Sequence, residues 1–97
     1  MKNYTYEEVQ NFIAFELSKP YNSQLVYCYS RQQSDKSLHT FIKLTEDIRY
    51  EVPWHDGPKY LSRGDYLHAN NLDVYGISAE IFNQCYQAID LNRQIAP

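Results

Sequence analysis

Hydrophobic positions near the start of the chain recur every three to four residues. Val9, Phe12, Ile13 and Leu17 fall on one face of a helix, while Glu7, Gln10, Asn11 and Lys19 largely take the other. Thr5-Tyr6-Glu7-Glu8 supplies the start of that helix as a capping box, in which the threonine oxygen accepts a free helix-end N–H and Glu8 reaches back to the threonine amide. Pro20 stops it, because the residue before a proline is driven out of helical geometry.

Downstream the spacing changes to two. Residues 24–30, "QLVYCYS", set Leu25, Tyr27 and Tyr29 against Val26 and Cys28, apolar on both faces, as a central strand requires. The polar run from Arg31 to Ser37 reads as a hairpin connection. Residues 38–44 then form the partner strand, with Leu38, Thr40, Ile42 and Leu44 opposite His39, Phe41 and Lys43. Ile48, Tyr50 and Val52 alternate with Arg49 and Glu51, which predicts a third strand with one wet face. Two prolines and a glycine make residues 53–59, "PWHDGPK", a loop. Gly64 marks a turn at positive φ, and residues 65–69 form a short strand. Asn70-Asn71 turns the chain again, and Val74-Tyr75 resumes a strand. Ser78 caps a short helix with Ile81 and Phe82 facing inward, residues 85–89 make the last strand, and 91–97 form a loose tail.

These elements predict a single α+β domain over residues 1–97. Its N-terminal helix packs on a curved, mainly antiparallel sheet of about five strands, with a short helix before the last one. Ninety-seven residues, 43% of them hydrophobic, suffice for one modest core and are too few for two domains. Fifteen per cent are aromatic and ten are tyrosines, which bury area while keeping a polar tip. The net charge of -3 argues against non-specific phosphate binding, so nucleic acid is not an expected partner. No run resembles a signal peptide or a membrane span, so the expected location is the cytoplasm. Cys28 and Cys85 both sit in apolar segments and are expected as free, buried thiols.

Candidate chemistry is sparse. His39, His55 and His68 show no i, i+4 helical pair and no CxxC beside them, so no metal or cofactor is expected. His55-Asp56 offers acid–base groups without a visible nucleophile. Catalysis would need His55 or His39 within hydrogen-bond reach of a carboxylate or thiol in a concave pocket. Arg63-Gly64-Asp65 reads as a turn glycine flanked by charges rather than an integrin ligand. Trp54, with Tyr50, Tyr60 and Tyr66 near it in sequence, is the cluster suited to recognition, since interface hot spots are enriched in Trp, Tyr and Arg. Core packing is nevertheless the default for a lone tryptophan. Its place between Pro53 and Gly57 keeps exposure open.

Residues 63–89 resemble the C-terminal module of small hypothetical proteins encoded by bacteriophages and prophages. There a Gly-Asp-Tyr strand is followed by a Tyr strand, a short helix with Ile and Phe, and a final Tyr strand. Gly64, Asp65, Tyr66, Tyr75, Ile81, Phe82 and Tyr86 occupy those places. The resemblance implies a phage or mobile-element origin; the small size, expected cytosolic location, mild acidity, abundant tyrosine and absence of catalytic chemistry then lead to the expectation of a non-enzymatic accessory protein that binds a host protein, for instance an inhibitor of a bacterial defence system such as an anti-CRISPR. Trp54, His55, Asp56, Tyr60 and Tyr66 are the candidate binding residues. The alternative is a small-molecule or nucleotide site in which the Trp54 loop and the Tyr66 strand form a shallow aromatic pocket. A homodimer through an open sheet edge or an exposed tyrosine patch is compatible with the sequence, although no heptad or other explicit signal demands one.

Overall fold

The computed structural model describes residues 1–69 and 74–89. The predicted turn at Asn70-Asn71 and the tail 91–97 lie outside the described residues. The elements run β1 (Lys2–Tyr4), α1 (Tyr6–Ser18), β2 (Leu25–Ser30), β3 (Leu38–Lys43), β4 (Ile48–Tyr50), β5 (Lys59–Leu61), β6 (Tyr66–His68), β7 (Tyr75–Ile77), α2 (Ala79–Cys85) and β8 (Tyr86–Ile89). The fold is α+β, with an N-terminal helix, a short C-terminal helix and a five-stranded, antiparallel, open sheet in the order β7-β6-β3-β2-β8.

A second sheet, in the order β1-β4-β5, was not foreseen. Lys2–Tyr4 pairs in parallel with Ile48–Tyr50, and Lys59–Leu61 pairs antiparallel on the other side. Ile48–Tyr50 was expected to extend the main sheet. It instead centres the small one, and its alternation survives because only its inner face is buried.

Residues of α1, the small sheet and one face of the large sheet make the first core: Val9, Ile13, Ile42, Leu44, Ile48, Tyr50, Leu61 and Leu67 among others. The opposite face of the large sheet carries a second, aromatic core of Cys28, Phe41, Tyr66, Ile77 and Phe82. On β3, adjacent residues serve opposite cores: Ile42 pairs with Leu67 and Phe41 with His68.

The local signals hold at the helix ends. Thr5 Oγ1 accepts from the Glu8 amide at 3.1 Å, and Glu8 Oε1 accepts from the Thr5 amide at 3.0 Å. Leu17, predicted inward, is instead exposed, and Glu16 takes the buried position one residue earlier. Val9, Ile13 and Glu16 lie at the centre of the buried face, whereas Leu17, although four residues after Ile13, falls at its edge. Burying a carboxylate requires partners, and Glu16 has them in Lys19 Nζ at 2.9 Å and Asn22 Nδ2 at 2.8 Å. In α2, Phe82 is buried as predicted while Ile81 is exposed. Seven residues offer too short a face to bury both.

Gly76 sits where the two sheets press together. A Cβ there would lie 2.5 Å from Leu61 Cδ1 and 2.8 Å from the Tyr50 hydroxyl. Gly76→Ala is expected to destabilise the fold by about 1–3 kcal/mol through overpacking. Thr5→Ala, which removes only a cap, should cost about 1 kcal/mol. Urea unfolding of the two variants checks the order.

Candidate functional site

Trp54, His55, Asp56 and Tyr60 gather at one end of the small sheet. β1 and β4 run parallel, so the residues that follow them, Tyr6 and the 53–58 loop, emerge at the same end. Trp54 is 56% exposed, its ring edge-on to Tyr6 with centroids 5.5 Å apart. The tryptophan is therefore a surface group, and the default of core packing fails for it. The first core is closed by Val52 and Tyr50, which leaves the chain to turn away before Trp54 is reached. A tight turn, with the His55 amide donating to Val52 O at 3.3 Å and Gly57 at φ +80°, holds the ring outward.

His55 and Asp56 are exposed in that turn. The nearest partner of His55 Nδ1 is Gly57 O at 3.4 Å, with no carboxylate or thiol at hydrogen-bond distance among the described residues. Tyr60 is 61% exposed on β5, opposite Arg49 and on the outer face of the small sheet. Around this end Glu7, Glu51 and Asp56 are exposed, with Arg49 3.8 Å from Glu51 and Lys59 beside the loop, so its margin carries both signs of charge.

Tyr66 does not belong to this group. It is 8% exposed on the far side of the large sheet, stacked on Phe82 with centroids 4.0 Å apart, and edge-on to Phe41. The shallow pocket between the Trp54 loop and the Tyr66 strand is thus not formed, because strand parity turns Tyr66 into the second core. Tyr66 and Tyr75 also do not pair across strands: Tyr66 lies opposite Ile77, and Tyr75 opposite His68. The Arg63-Gly64-Asp65 turn is structural. Gly64 has φ +91°, and the Asp65 carboxylate accepts from the Ser62 amide at 2.8 Å and the Ala79 amide at 2.9 Å, tying the turn to the start of α2.

A second constellation lies on the aromatic face. Asp35, in the β2–β3 loop, accepts from His39 Nε2 at 2.8 Å and from the Ser37 amide at 3.0 Å and hydroxyl at 2.5 Å. His39 Nδ1 lies 3.3 Å from His68 Nε2. The Ser37 hydrogen bonds first, and His39 after them, hold the Asp35 carboxyl down at about 2. Burial, with a contribution from His39, lowers the His68 pKa below its ordinary value. Beside this group the β2–β3 loop forms an open groove of about 600 Å³, with Tyr29, Arg31, Asp35 and Lys36 in its walls.

Of the two histidines for which catalysis required a carboxylate within hydrogen-bond reach, His39 has one in Asp35, at the wall of the open groove, and His55 has none among the described residues; the meeting of His39 with His68 was not foreseen. The available signal was parity: His39 shares its face of β3 with Phe41, and His68 shares its face of β6 with Tyr66. Once the two strands pair, the histidines become diagonal neighbours. Among the described residues, no group of three or more His, Cys, Asp or Glu side chains could hold a metal ion. The cysteines differ: Cys28 is fully buried, its thiol pushed up to about 11 by desolvation, whereas Cys85, expected buried, is exposed at the end of α2.

Comparison of the chain with protein-family models, with characterised proteins and with solved structures found no match.

Acidification should destabilise the fold in two stages. His68 binds its proton less readily folded than unfolded, so its contribution is complete at neutral pH and declines as pH falls below 6.5. Asp35 has a folded pKa below its ordinary 3.8, so its contribution is lost as pH falls from there toward about 2. Melting temperature followed from pH 7 downwards should show both declines, with Asp35→Asn flattening only the lower one. A native-state thiol titration should consume one cysteine, Cys85, rapidly and the second only on unfolding.

Proposed function

We propose that this chain is a non-enzymatic binding module that engages a partner protein through the Tyr6–Trp54–Tyr60 end of its small sheet. The observation that carries the reading is the exposure of Trp54, an aromatic ring held out of the core by a tight turn although the first core lies directly behind it. A large ring presented on a fixed turn loses little side-chain freedom on binding, which is why tryptophan and tyrosine dominate interface energetics. The charges around these rings are of both signs, so the reading rests on the rings themselves seating in an apolar recess of the partner.

The resemblance of residues 63–89 to phage and prophage proteins supports a phage or mobile-element origin, and we extend it to an accessory role in a host cytoplasm, with a component of a bacterial defence system as the target. The nucleotide-pocket reading is less well supported, since Tyr66, one of its two walls, lies under α2. No helix among the described residues is long and apolar enough to cross a membrane.

The test is affinity capture from host lysate with the unaltered protein and with Trp54→Ala and Tyr60→Ala, followed by titration of whatever partner is enriched. Hot-spot truncation should weaken that partner by about 2 kcal/mol or more, roughly thirtyfold, with the melting temperature unchanged. Equal capture by both variants would remove the reading.

A further inference from the structure

The β2–β3 loop is held along its whole length, and the hollow it frames is used by neither of the two cores nor by the Trp54 end. At its start the Arg31 amide donates to Cys85 O at 2.8 Å and Arg31 Nε to Asn83 O at 3.1 Å, which ties the loop to α2. Within it the Gln32 amide donates to Ser30 Oγ at 3.1 Å, and the Asp35 amide donates to Gln32 O at 3.1 Å across a tight turn. At its end Asp35 Oδ2 accepts from His39 Nε2 at 2.8 Å. The groove of about 600 Å³ is therefore pre-formed, and its size falls within the range of small-molecule clefts, roughly 300–1,000 Å³.

Its walls favour an anion. Among the described residues that line it, Arg31 and Lys36 can only donate, and neither is ion-paired with a described carboxylate. Asp35 is the one acid among them. Its Oδ1 already accepts from the Ser37 amide and hydroxyl and its Oδ2 from His39, so its hydrogen-bonding capacity is taken up within the loop. Tyr29, 46% exposed at the end of β2, adds an aromatic ring to the same walls.

We propose that this groove binds a nucleoside monophosphate, with the phosphate held by Arg31 and Lys36 and the base laid against Tyr29. The guanidinium is a planar fork that matches two phosphate oxygens, and the Nε bond to Asn83 O fixes its plane. Arg31 and Lys36 stand on either side of the Gln32–Asp35 turn, which lets one phosphate meet both. A base stacked on tyrosine buries a flat apolar face that phosphate alone does not have. Two cations suit a single phosphate. A nucleic-acid backbone needs a run of them, which a chain of net charge -3 does not offer here. The groove belongs to the large sheet, so the proposal stands apart from the reading of the Trp54 end and from the Trp54–Tyr66 pocket that strand parity rules out.

NMR titration of ¹⁵N-labelled protein with AMP, adenosine and inorganic phosphate tests base and phosphate separately. AMP should shift the amides of residues 29–36 saturably and leave those of residues 53–58 unmoved. Adenosine and inorganic phosphate should each bind about tenfold more weakly or worse. Lys36→Gln touches none of the bonds that hold the loop, and it should weaken AMP about tenfold or more at an unchanged melting temperature. Arg31→Lys keeps the charge, loses the fork and should weaken AMP as much. Tyr29→Leu should weaken AMP and leave inorganic phosphate as it was. The proposal is overturned if AMP gives no saturable shift in residues 29–36, or if Lys36→Gln binds it as the unaltered protein does. Inorganic phosphate binding as tightly as AMP would also overturn it, marking an adventitious ion only. The titrations of the unaltered protein decide the matter even where a variant folds poorly.

Discussion

Phe41 and Ile42 are neighbours on β3, both fully buried, and they face opposite sides of the same sheet. An antiparallel sheet in a chain this short ordinarily covers one face and wets the other. Here both faces must be covered, and the remaining elements are disposed to do it. α1 and the three-stranded sheet take the Ile42 side, while α2, a single helix of seven residues, takes the Phe41 side. The two covers are unequal: among the described residues, eleven buried ones form the first core and five the second. What the thin cover lacks in aliphatic bulk it makes up in rings. Tyr66, Phe82 and Tyr86 stack in sequence, and Phe41 meets all three edge-on.

This asymmetry explains where polar chemistry can sit. A histidine on the first core's side would have had to be satisfied within a dense aliphatic interior. On the second side Asp35 and Ser37 of the β2–β3 loop supply partners to His39, and His39 in turn is the partner of His68. The exposed Trp54 follows from the same division. The small sheet has spent its inward positions on Ile48, Tyr50 and Leu61, so the loop that joins β4 to β5 carries its ring to the outside.

Much of the fold was legible because its signals are local. The Thr5–Glu8 capping box, the β2–β3 hairpin and the positive φ of Gly64 each depend on residues close in sequence, and all are present in the structure. The small sheet was not legible. Three-residue strands carry almost no periodicity, and the parallel pairing of Lys2–Tyr4 with Ile48–Tyr50 joins segments more than forty residues apart. Leu17 and Ile81 were misplaced for a different reason: hydrophobic character was taken as burial, whereas the helix faces are set by the spacing of Val9, Ile13 and Glu16 and by the shortness of α2. For the candidate sites, Trp54 and Tyr60 could be named from residue type. The separation of Tyr66 from them, and the meeting of His39 with His68, depend on strand register, which single-sequence patterning does not supply.

That two unequal cores share β3 is open to direct measurement by native-state hydrogen exchange across a range of sub-denaturing urea concentrations. The amides of Phe41 and Ile42 should exchange only through global unfolding, with the full denaturant dependence. Those of α2 should open at lower free energy and with a smaller slope, as a helix leaving the second core while the first stays intact. If α2 and β3 merge at one free energy and one slope, the molecule has a single cooperative interior and the two-core account is wrong.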